Sequence, residues 1–388
     1  MINLLVLSPK TYDGVTWYRI EQFLRKAREK KKIESVYLDV KLDIEQLTRV
    51  IERADIFLNR TTGAGFFEIF DIIKKYKPSN KPLVIDIDDN YELINPLSDM
   101  YFYFGTEDVI LPDGRELWIS GKGGFDAKKN KERLKKLQEI IRYADLITTT
   151  TFKMKNWLEN FNKNVVIIPN CIDKKYFPCL EKKEEKIIKI GWAGGSSHFA
   201  DLMSILPSLQ KIMKKYPHIH YYHIGQWFGV VEKYIPKERL HTFGWINADG
   251  HGYRMAYLNL DIGLCPLTDD EFNEYKSCIK WYEYSATKTT TLAKDMLPYN
   301  EEIIDGENGF LYKTKEEFEK KLEFLILNPL KRRIIAQNAY DFVYKYRNLD
   351  KIAEDFIFLI ENLVRIKNKN YDLMENLQKI ADFSKKYV

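Results

Sequence analysis

A glycine-rich turn in the middle of the chain, residues 190–198, has the sequence IGWAGGSSH. It follows a short apolar run, and its glycines, Gly194 and Gly195 among them, let backbone amides approach a phosphate closely. Either Ser196 or Ser197 is placed to cap the helix that follows. Because no G-K-[ST] triplet occurs there, the turn is not a P-loop. It opens a second series of alternating strands and helices, so we expect two α/β domains.

The first series occupies residues 3–169. Short β-branched runs alternate there with amphipathic segments, which is typical of parallel strands joined by crossover helices. The predicted strands are 3–8, 36–40, 55–59, 83–88, 145–150 and 165–169. The predicted helices are 17–31, 44–53, 66–76, 130–143 and 152–160.

An insertion at residues 90–128 breaks this rhythm. It is rich in glycine and in aromatic residues, and Asp113-Gly114 predicts a hairpin turn within it. Long insertions at the carboxyl end of a parallel strand commonly bind a ligand or cover a cleft. Tyr101, Tyr103 and Trp118 are therefore candidates for contacts with an acceptor, although aromatic residues can equally fill a small core.

The second series follows a charged stretch, and we place the domain boundary near residues 175–186. Its predicted strands are 187–192, 221–225, 240–244, 261–266 and 290–293, and a helical tail starts at Glu316 with breaks near Asn328-Pro329 and Asn348. We therefore expect a Rossmann-like first domain at 1–178, a second at 187–345, and a tail at 346–388 that packs across both. The strand ends of both domains should face a common cleft.

Composition limits the classes of protein that fit. The chain has 388 residues, 45% of them hydrophobic, and no apolar run approaches the roughly 20 residues that span a bilayer, so we expect a soluble, cytoplasmic protein. Its four cysteines form no C-x-x-C pair, which argues against a zinc knuckle or a disulfide framework. The net charge is +5, and the lysine-rich runs at 25–32 and 128–136 are either solvated helix faces or a patch that attracts a polyanion.

Two segments of the first domain can carry chemistry. Gly14 lies in the loop after the first strand, beside a helix N-terminus that favours an anion or the polar groups of a sugar, although a plain structural turn fits equally well. Arg19 on that helix is an acceptor-side candidate or a surface ion pair. Asp88 and Asp89 end the strand 83–88 with Asp86 on the same face as Asp88, where carboxylates can accept a proton, bind a cation or cap the next segment.

The second domain contributes a segment at residues 266–284. We expect a helix whose first turns hold Lys276, Ser277 and Lys280, so that the two lysines share a face. Like charges there are unfavourable unless an anion lies between them, which suggests a diphosphate. Glu283 lies near the same face and can bind ribose hydroxyls or form an ion pair with Lys280. His198 is either an ordinary helix-start residue or a ligand contact.

With the segment 266–284 added to the earlier motifs, the chain resembles the GT4-like (glycosyltransferase group 1) family of the GT-B fold. In that fold two Rossmann-like domains face a central cleft. The resemblance covers about 300 residues. The motifs that carry it, in order, are the loop with Gly14, Asp86-Ile87-Asp88-Asp89, IPNCID at 168–173, the turn at 190–198, 276–283, and DGENGFL at 305–311.

The resemblance implies a donor site in the second domain. Lys276, Lys280 and the amides of residues 194–197 would stabilise the leaving diphosphate of a UDP- or GDP-sugar, and Glu283 would hold its ribose. Positive groups at the developing charge remove the need for a divalent cation, so no cofactor and no metal are expected. Asp88 or Asp89 and the Gly14 loop would face the reacting sugar. The implied activity is retaining sugar transfer to a hydroxyl of a glycan or glycoconjugate.

The chain departs from the family pattern at three places. Glu283 matches the second glutamate of E-x7-E, whereas the position of the first is Tyr275. Cys171 replaces the small residue of P-N-G-V-D, and 286–290 reads ATKTT where the family often has A-x-G-x-P. The resemblance therefore does not fix the sugar.

Two alternatives stay open at this stage. A DNA-modifying transferase could use the lysines and the aromatic insertion to hold a hydroxylated base flipped out of DNA. A sugar-nucleotide binding protein without catalysis fits the missing first glutamate. A Rossmann dehydrogenase is disfavoured, because neither half has G-x-G-x-x-G followed by an acid about 20 residues later.

Overall fold

A computed structural model describes residues 1–38, 43–60, 66–182 and 186–369. The strands are β1 (Ile2–Val6), β2 (Ile33–Tyr37), β3 (Ile56–Arg60), β4 (Leu83–Asp86), β5 (Val109–Ile110), β6 (Glu116–Trp118), β7 (Leu146–Thr149), β8 (Val165–Ile167), β9 (Ile188–Gly194), β10 (Ile219–Gly225), β11 (Leu240–Phe243), β12 (Ile262–Cys265), β13 (Thr290–Lys294) and β14 (Phe310–Tyr312).

The α-helices follow the strands in the predicted alternation. They are α1 (Gly14–Thr16), α2 (Gln22–Glu29), α3 (Ile44–Arg53), α4 (Phe66–Tyr76), α5 (Tyr101–Phe104), α6 (Ala127–Tyr143), α7 (Phe152–Leu158), α8 (Phe199–Lys215), α9 (Ala248–Leu258), α10 (Glu271–Glu274), α11 (Ile279–Ala286), α12 (Tyr299–Glu302), α13 (Lys315–Leu327), α14 (Pro329–Tyr346) and α15 (Leu349–Lys369).

The chain forms two compact units. The first unit contains residues 1–90, 128–170 and the part from Leu349 onward, and the second contains residues 91–127 and 171–348. The insertion that we assigned to the first domain therefore belongs to the second unit, and the last described helix belongs to the first. Part of the predicted strand 36–40, part of the charged stretch near the predicted boundary, and the tail beyond Lys369 lie outside the described residues.

The first unit is built on a six-stranded parallel sheet with the order β2-β1-β3-β4-β7-β8. Strands β4, β7 and β8 are buried along their whole length, as their apolar sequences LVID, LITT and VVI predict. Helix α15 packs on α2, where Phe356 stacks on Phe23 at a centroid distance of 5.2 Å. The ion pair of Lys26 with Asp350 at 2.6 Å flanks this contact.

The second unit has its own six-stranded parallel sheet, with the order β11-β10-β9-β12-β13-β14. The central strand β9 buries Ile190 and Trp192 completely, and its core continues into helices α8 and α13. The predicted α/β fold with two parallel-sheet domains is confirmed. Strand β14 was missed, because three residues give no usable periodicity.

The insertion forms a small layer of the second unit. Strands β5 and β6 pair antiparallel, and Gly114 has a φ of 83° in the turn between them, as Asp113-Gly114 predicts. Asn95 donates a hydrogen bond of 3.0 Å to Asp270, a residue 175 positions later in the chain. This contact fastens the insertion to the segment before α10.

A buried ion pair anchors the carboxyl ends of the first unit's strands. Arg19 lies in a π-helical turn, Trp17–Glu21, that joins α1 to α2. Its guanidinium donates to both carboxylate oxygens of Asp86, at 3.0 and 2.8 Å, and to the carbonyl of Ile168 and the side chain of Asn170. Both charged side chains are about 1–2% exposed. Arg19 is therefore neither a surface ion pair nor available to an acceptor, because its donors are used inside the unit.

We expect Arg19→Met to lower the free energy of unfolding by about 3–5 kcal/mol, because it leaves the Asp86 carboxylate buried without its cation. Urea denaturation followed by circular dichroism measures this. The exposed pair of Arg49 with Glu45 provides the control, since Arg49→Gln should cost at most about 0.5 kcal/mol. The double variant Arg19→Met/Asp86→Leu should recover much of the loss, and a fully stable Arg19→Met protein would contradict the assignment.

Candidate functional site

The glycine-rich turn connects β9 to α8 through one 3-10 turn, Ser196–His198, with Gly195 before it. Helix α8 begins at Phe199 as predicted, but neither serine caps it, because His198 occupies the N-cap position and makes no side-chain cap. A Cβ on Gly194 would lie 2.6 Å from the ring of Trp192, so this glycine is required by packing. Gly195 faces more open space, since a Cβ placed there would be 3.7 Å from its nearest neighbour, an atom of Trp245.

Asp201, a residue that the sequence did not reveal, joins this turn to the segment before α10. Its Oδ1 accepts hydrogen bonds from the amide of Thr268 at 2.8 Å, from the hydroxyl of Thr268 at 3.0 Å and from Nδ2 of Asn273 at 2.9 Å. Its Oδ2 lies 2.6 Å from Nδ1 of His198. The side chain is almost fully buried. Burial opposes its charge, but the His198 contact and Lys280 hold the pKa of Asp201 well below its usual range.

The two lysines of the predicted diphosphate site do not lie on one helix. The chain leaves helix α10 at Glu274, and α11 begins only at Ile279, so Lys276 lies in the connection between them. The helical-spacing argument was therefore wrong. The charges of Lys276 and Lys280 nevertheless act on each other and on His198, so both lie near the same point. Ser277 lies beside Lys276 and is half-buried.

Lys280 is the cation at the centre of this region. It is 8% exposed, and its Nζ has no hydrogen-bond partner in the part of the chain that the structure describes. The ammonium lies 5.5 Å from the centroid of the Trp192 ring, which stabilises a cation modestly. Burial, with a smaller contribution from Lys276, lowers the pKa of Lys280 to about 8, whereas Asp201, Cys265 and Glu283 act in the opposite direction.

Glu283 lies one turn further along α11 and is also buried. Its carboxylate is 3.4 Å from Nε2 of His251, a residue of helix α9 that the sequence analysis did not single out. An ion pair between Glu283 and Lys280 was expected as the purely structural alternative, and Lys280 does not form it. Tyr275, at the position of the missing glutamate, is 8% exposed.

An exposed aromatic side chain lies at the rim of the turn. Trp245 follows β11 and is 67% exposed, although its indole approaches Gly195 as described above. No spacing pattern in the sequence could have marked it, because it is a single aromatic residue in a loop.

In the first unit, Gly14 opens helix α1 and a Cβ there would meet open space. The preceding Asp13 caps the helix at the amide of Thr16 and also accepts a hydrogen bond of 2.9 Å from Arg60. The loop is thus ordered by Asp13. Its open glycine remains a candidate for a close approach by a ligand.

The three acids at the carboxyl end of β4 have separate environments. The carboxylate of Asp86 is paired with Arg19. Because β4 ends at Asp86, Asp88 and Asp89 lie in the loop that follows. The prediction that Asp86 and Asp88 share one face of a strand was therefore wrong. Burial raises the pKa of Asp88, and the carboxylates of Asp89 and Asp86 raise it further, while Arg60 and Arg19 oppose them. Its Oδ1 is buried and has no hydrogen-bond partner among the described residues.

The aromatic residues of the insertion mostly fill a small core. Tyr101 and Trp118 lie 5.9 Å apart and both pack on Phe125, and the indole of Trp118 donates to the carbonyl of Pro96. Tyr103 is 48% exposed. Two of the three acceptor-side aromatics are thus explained by packing, which removes the main support for a flipped DNA base.

Two of the resemblance motifs make contacts within their own units. In the turn at 305–311, Gly306 has a φ of 78°, Asp305 accepts from the amide of Leu311, and Asn308 accepts from the amide of Ile304. In the segment 168–173, Asn170 accepts from Arg19. Each of the four cysteines is a thiol rather than half of a disulfide, and Cys179 is the exposed one.

Two kinds of feature are absent from the described residues. No group of three or more His, Cys, Asp or Glu side chains has an arrangement that could hold a metal ion. None of the helices described here is long and apolar enough to cross a bilayer.

Comparisons with known proteins agree with this architecture. Residues 208–357 match the family described as glycosyl transferase-like. The matched residues make up less than half of the chain. No curated protein matches the chain in sequence.

Solved structures resemble nearly the whole chain. Sucrose-phosphate synthase from Thermosynechococcus elongatus superposes with a TM-score of 0.63 at 12% identity, covering 94% of this chain and 99% of that one. HepE from Anabaena, in complex with UDP and glucose, gives 0.62 at 13% identity, covering 93% and 100%. A glycosyltransferase from Rickettsia africae gives 0.61 at 11%, covering 94% and 98%. The fold is GT-B, and the resemblance inferred from the sequence is confirmed.

We expect Asp201→Ala to loosen the segment before α10, because it leaves the Thr268 amide and Asn273 without their acceptor, and a buried unsatisfied donor costs about 1–3 kcal/mol. Hydrogen exchange followed by mass spectrometry should show faster exchange at Thr268 and lower protection across α10. Ser204→Ala, which removes a hydroxyl that bonds only the Asp201 carbonyl, is the matched control on the same helix. Unchanged exchange at Thr268 in Asp201→Ala would contradict the role given to Asp201.

Proposed function

We propose that this chain, a glycosyltransferase with the GT-B fold, takes its sugar from a nucleoside-diphosphate donor that the second unit binds. The observation that carries this proposal is the buried ammonium of Lys280 without a hydrogen-bond partner among the described residues. A buried cation is costly unless it is paired. A second cation, Lys276, lies nearby, so the two lysines together suit a ligand with two negative charges better than a single carboxylate.

The remaining groups fit the rest of such a donor. The amides of residues 195–197 lead into helix α8, where a phosphate is favoured. Glu283 would accept hydrogen bonds from the ribose hydroxyls, with His251 orienting its carboxylate. Trp245 would stack on the nucleobase, because a flat exposed indole at the rim of a phosphate site suits a flat base.

We propose UDP- or GDP-sugars as donors and transfer without a divalent cation. HepE, which shares this fold, is described with UDP and glucose. Lys276 and Lys280 supply the positive charge that the leaving diphosphate requires, which is the work a metal ion does in other transferases. The first glutamate of the family pattern is replaced by the buried Tyr275, so the donor sugar must be recognised by other contacts.

We propose a hydroxyl of a glycan or glycoconjugate as the acceptor, and retention of anomeric configuration, which rests on the resemblance to the retaining family. Asp88 is the candidate to accept the acceptor proton, because its raised pKa suits proton transfer near neutral pH. Buried polar atoms of Asn59 and Thr150, also without partners in the described chain, lie at or near the carboxyl ends of β3 and β7 and are further acceptor-side candidates.

We expect Lys280→Met to abolish the rise in melting temperature that a nucleotide-sugar gives to the wild-type protein, and to weaken binding about 10- to 100-fold, because charge-assisted hydrogen bonds are lost. Thermal shift and calorimetry with UDP-, GDP- and ADP-sugars, each with Mg²⁺ and with EDTA, measure this. EDTA should change nothing. Glu283→Gln should act similarly, and the exposed Lys237→Gln is the control.

The same variant separates a binding lysine from a structural one. Because the folded pKa of Lys280 is about 8, below its ordinary value of 10.5, the unfolded state binds more protons between these values. The free energy of unfolding therefore rises with pH across about 8–10.5. Lys280→Met should be as stable as the wild type or more so at pH 7. A large loss of stability in Lys280→Met would contradict a ligand-binding role.

We expect Trp245→Ala to weaken nucleotide-sugar binding by about 1–3 kcal/mol, since stacking on the base is lost, while leaving the binding of inorganic pyrophosphate unchanged. Trp245→Phe should retain most of the affinity. Tyr257→Ala is the control, because Tyr257 is 81% exposed on α9 and plays no part in the site. Equal weakening for pyrophosphate and nucleotide-sugar would show that Trp245 acts on the turn rather than on the base.

A further inference from the structure

His198 lies where the glycine-rich turn enters α8, and the bond from its Nδ1 to Asp201 fixes its tautomer. A carboxylate can only accept hydrogen bonds, so Nδ1 carries the hydrogen and donates it across the 2.6 Å to Oδ2. The lone pair of the neutral ring is therefore on Nε2. The side chain is 14% exposed, and Nε2 makes no hydrogen bond within the described ranges. Solvent or a ligand can therefore reach this nitrogen.

Charges from three elements act on this ring. Burial, together with Lys280 of α11 and Lys276 of the preceding connection, lowers the pKa of His198 to about 3, although Asp201 of α8 acts in the opposite direction. Asp270 lies beyond Asp201 and is bound to Thr268 and Asn273. With two cations beside it and one carboxylate shared among them, the imidazole is neutral in the free protein.

A bound diphosphate reverses this balance. Two negative charges placed against Lys276 and Lys280 cancel the field that keeps the ring neutral, and an opposite charge within about 4–6 Å favours the protonated form by about 1–3 pKa units. The bond to Asp201 is compatible with both forms, since Nδ1 donates in either. Protonation therefore needs no rearrangement of the site.

We propose that binding of the nucleoside diphosphate is coupled to the uptake of one proton from solvent by Nε2 of His198, so that the site gains a third cation only when the ligand is present. This inference rests on the proposed donor site. No bond of the donor breaks in this step, and the proton comes from the buffer. The conditional charge avoids holding three cations together in the free protein, where their mutual repulsion would be unfavourable.

The experiment is calorimetric titration of the full chain with UDP-glucose, GDP-mannose and ADP-glucose. These phosphodiesters keep their two charges between pH 5 and 9, so any proton exchange belongs to the protein. Pairs of buffers with different ionisation enthalpies give the number of protons taken up. A rise of up to about 3 units from the free-protein pKa of about 3 corresponds at pH 5.5 to the uptake of up to about 0.8 proton per bound nucleotide. We therefore expect measurable uptake at this pH, and affinity that weakens up to about tenfold per pH unit as the pH rises through the titration.

Variants separate His198 from the neighbouring lysine. His198→Gln retains a donor for Asp201 and should abolish uptake at pH 5.5 while leaving uptake near pH 8.5, which comes from Lys280. Lys280→Gln should abolish the uptake near pH 8.5. His218→Gln, at an exposed position before β10, should change neither.

The outcomes distinguish the two proposals. Nucleotide-sugar binding without proton uptake at pH 5.5, or with the same uptake in His198→Gln, overturns this inference and leaves the donor site standing. Failure of all three nucleotide-sugars to bind at any pH overturns the proposed function and this inference with it.

Discussion

One buried carboxylate holds the second unit's site in its arrangement. Asp201 accepts hydrogen bonds from the glycine-rich turn and from the segment before α10, and its negative charge is the counterweight that allows Lys280 to be buried beside it. If it were absent, the turn and the lysine-bearing connection would lose their common anchor. It balances only part of the positive charge that surrounds it. The buried ammonium of Lys280, which has no hydrogen-bond partner among the described residues, is what supports the proposed anion site.

Much of the fold could be predicted from local sequence. Helices α3 and α4 begin and end at the predicted residues, and at α3 the cause is visible, since Asp43 and Gln46 form a capping box. What local patterns could not supply is the path of the chain between units. The insertion at 91–127 belongs to the second unit through contacts such as Asn95 with Asp270, and a hydrogen bond across 175 positions leaves no periodicity to detect.

The residues of the candidate site were also predictable only in part. Lys276, Lys280 and Glu283 were singled out from their spacing and from the family resemblance, and they stay predicted site residues. The helical geometry assigned to Lys276 was wrong because the chain leaves α10 before it and forms α11 only after it. Asp201 and His251 were missed, since each is an ordinary polar residue of an amphipathic helix and acquires its role only from partners on other elements. Arg19 was wrongly predicted to be exposed, because nothing in the local sequence shows that its side chain is buried against Asp86.

The stacking of Phe356 on Phe23 has a consequence for biosynthesis. The helix that carries Phe356 is made after the whole second unit, so a ribosome has completed residues 171–348 before α2 receives its partner. The sequence of the second unit is therefore complete before that of the first, although the first unit contains the N-terminus. A nascent chain that is released early presents the bare apolar side of α2 to chaperones and proteases. Premature termination before α15 thus removes a packing partner of the N-terminal unit as well as the residues that are lost.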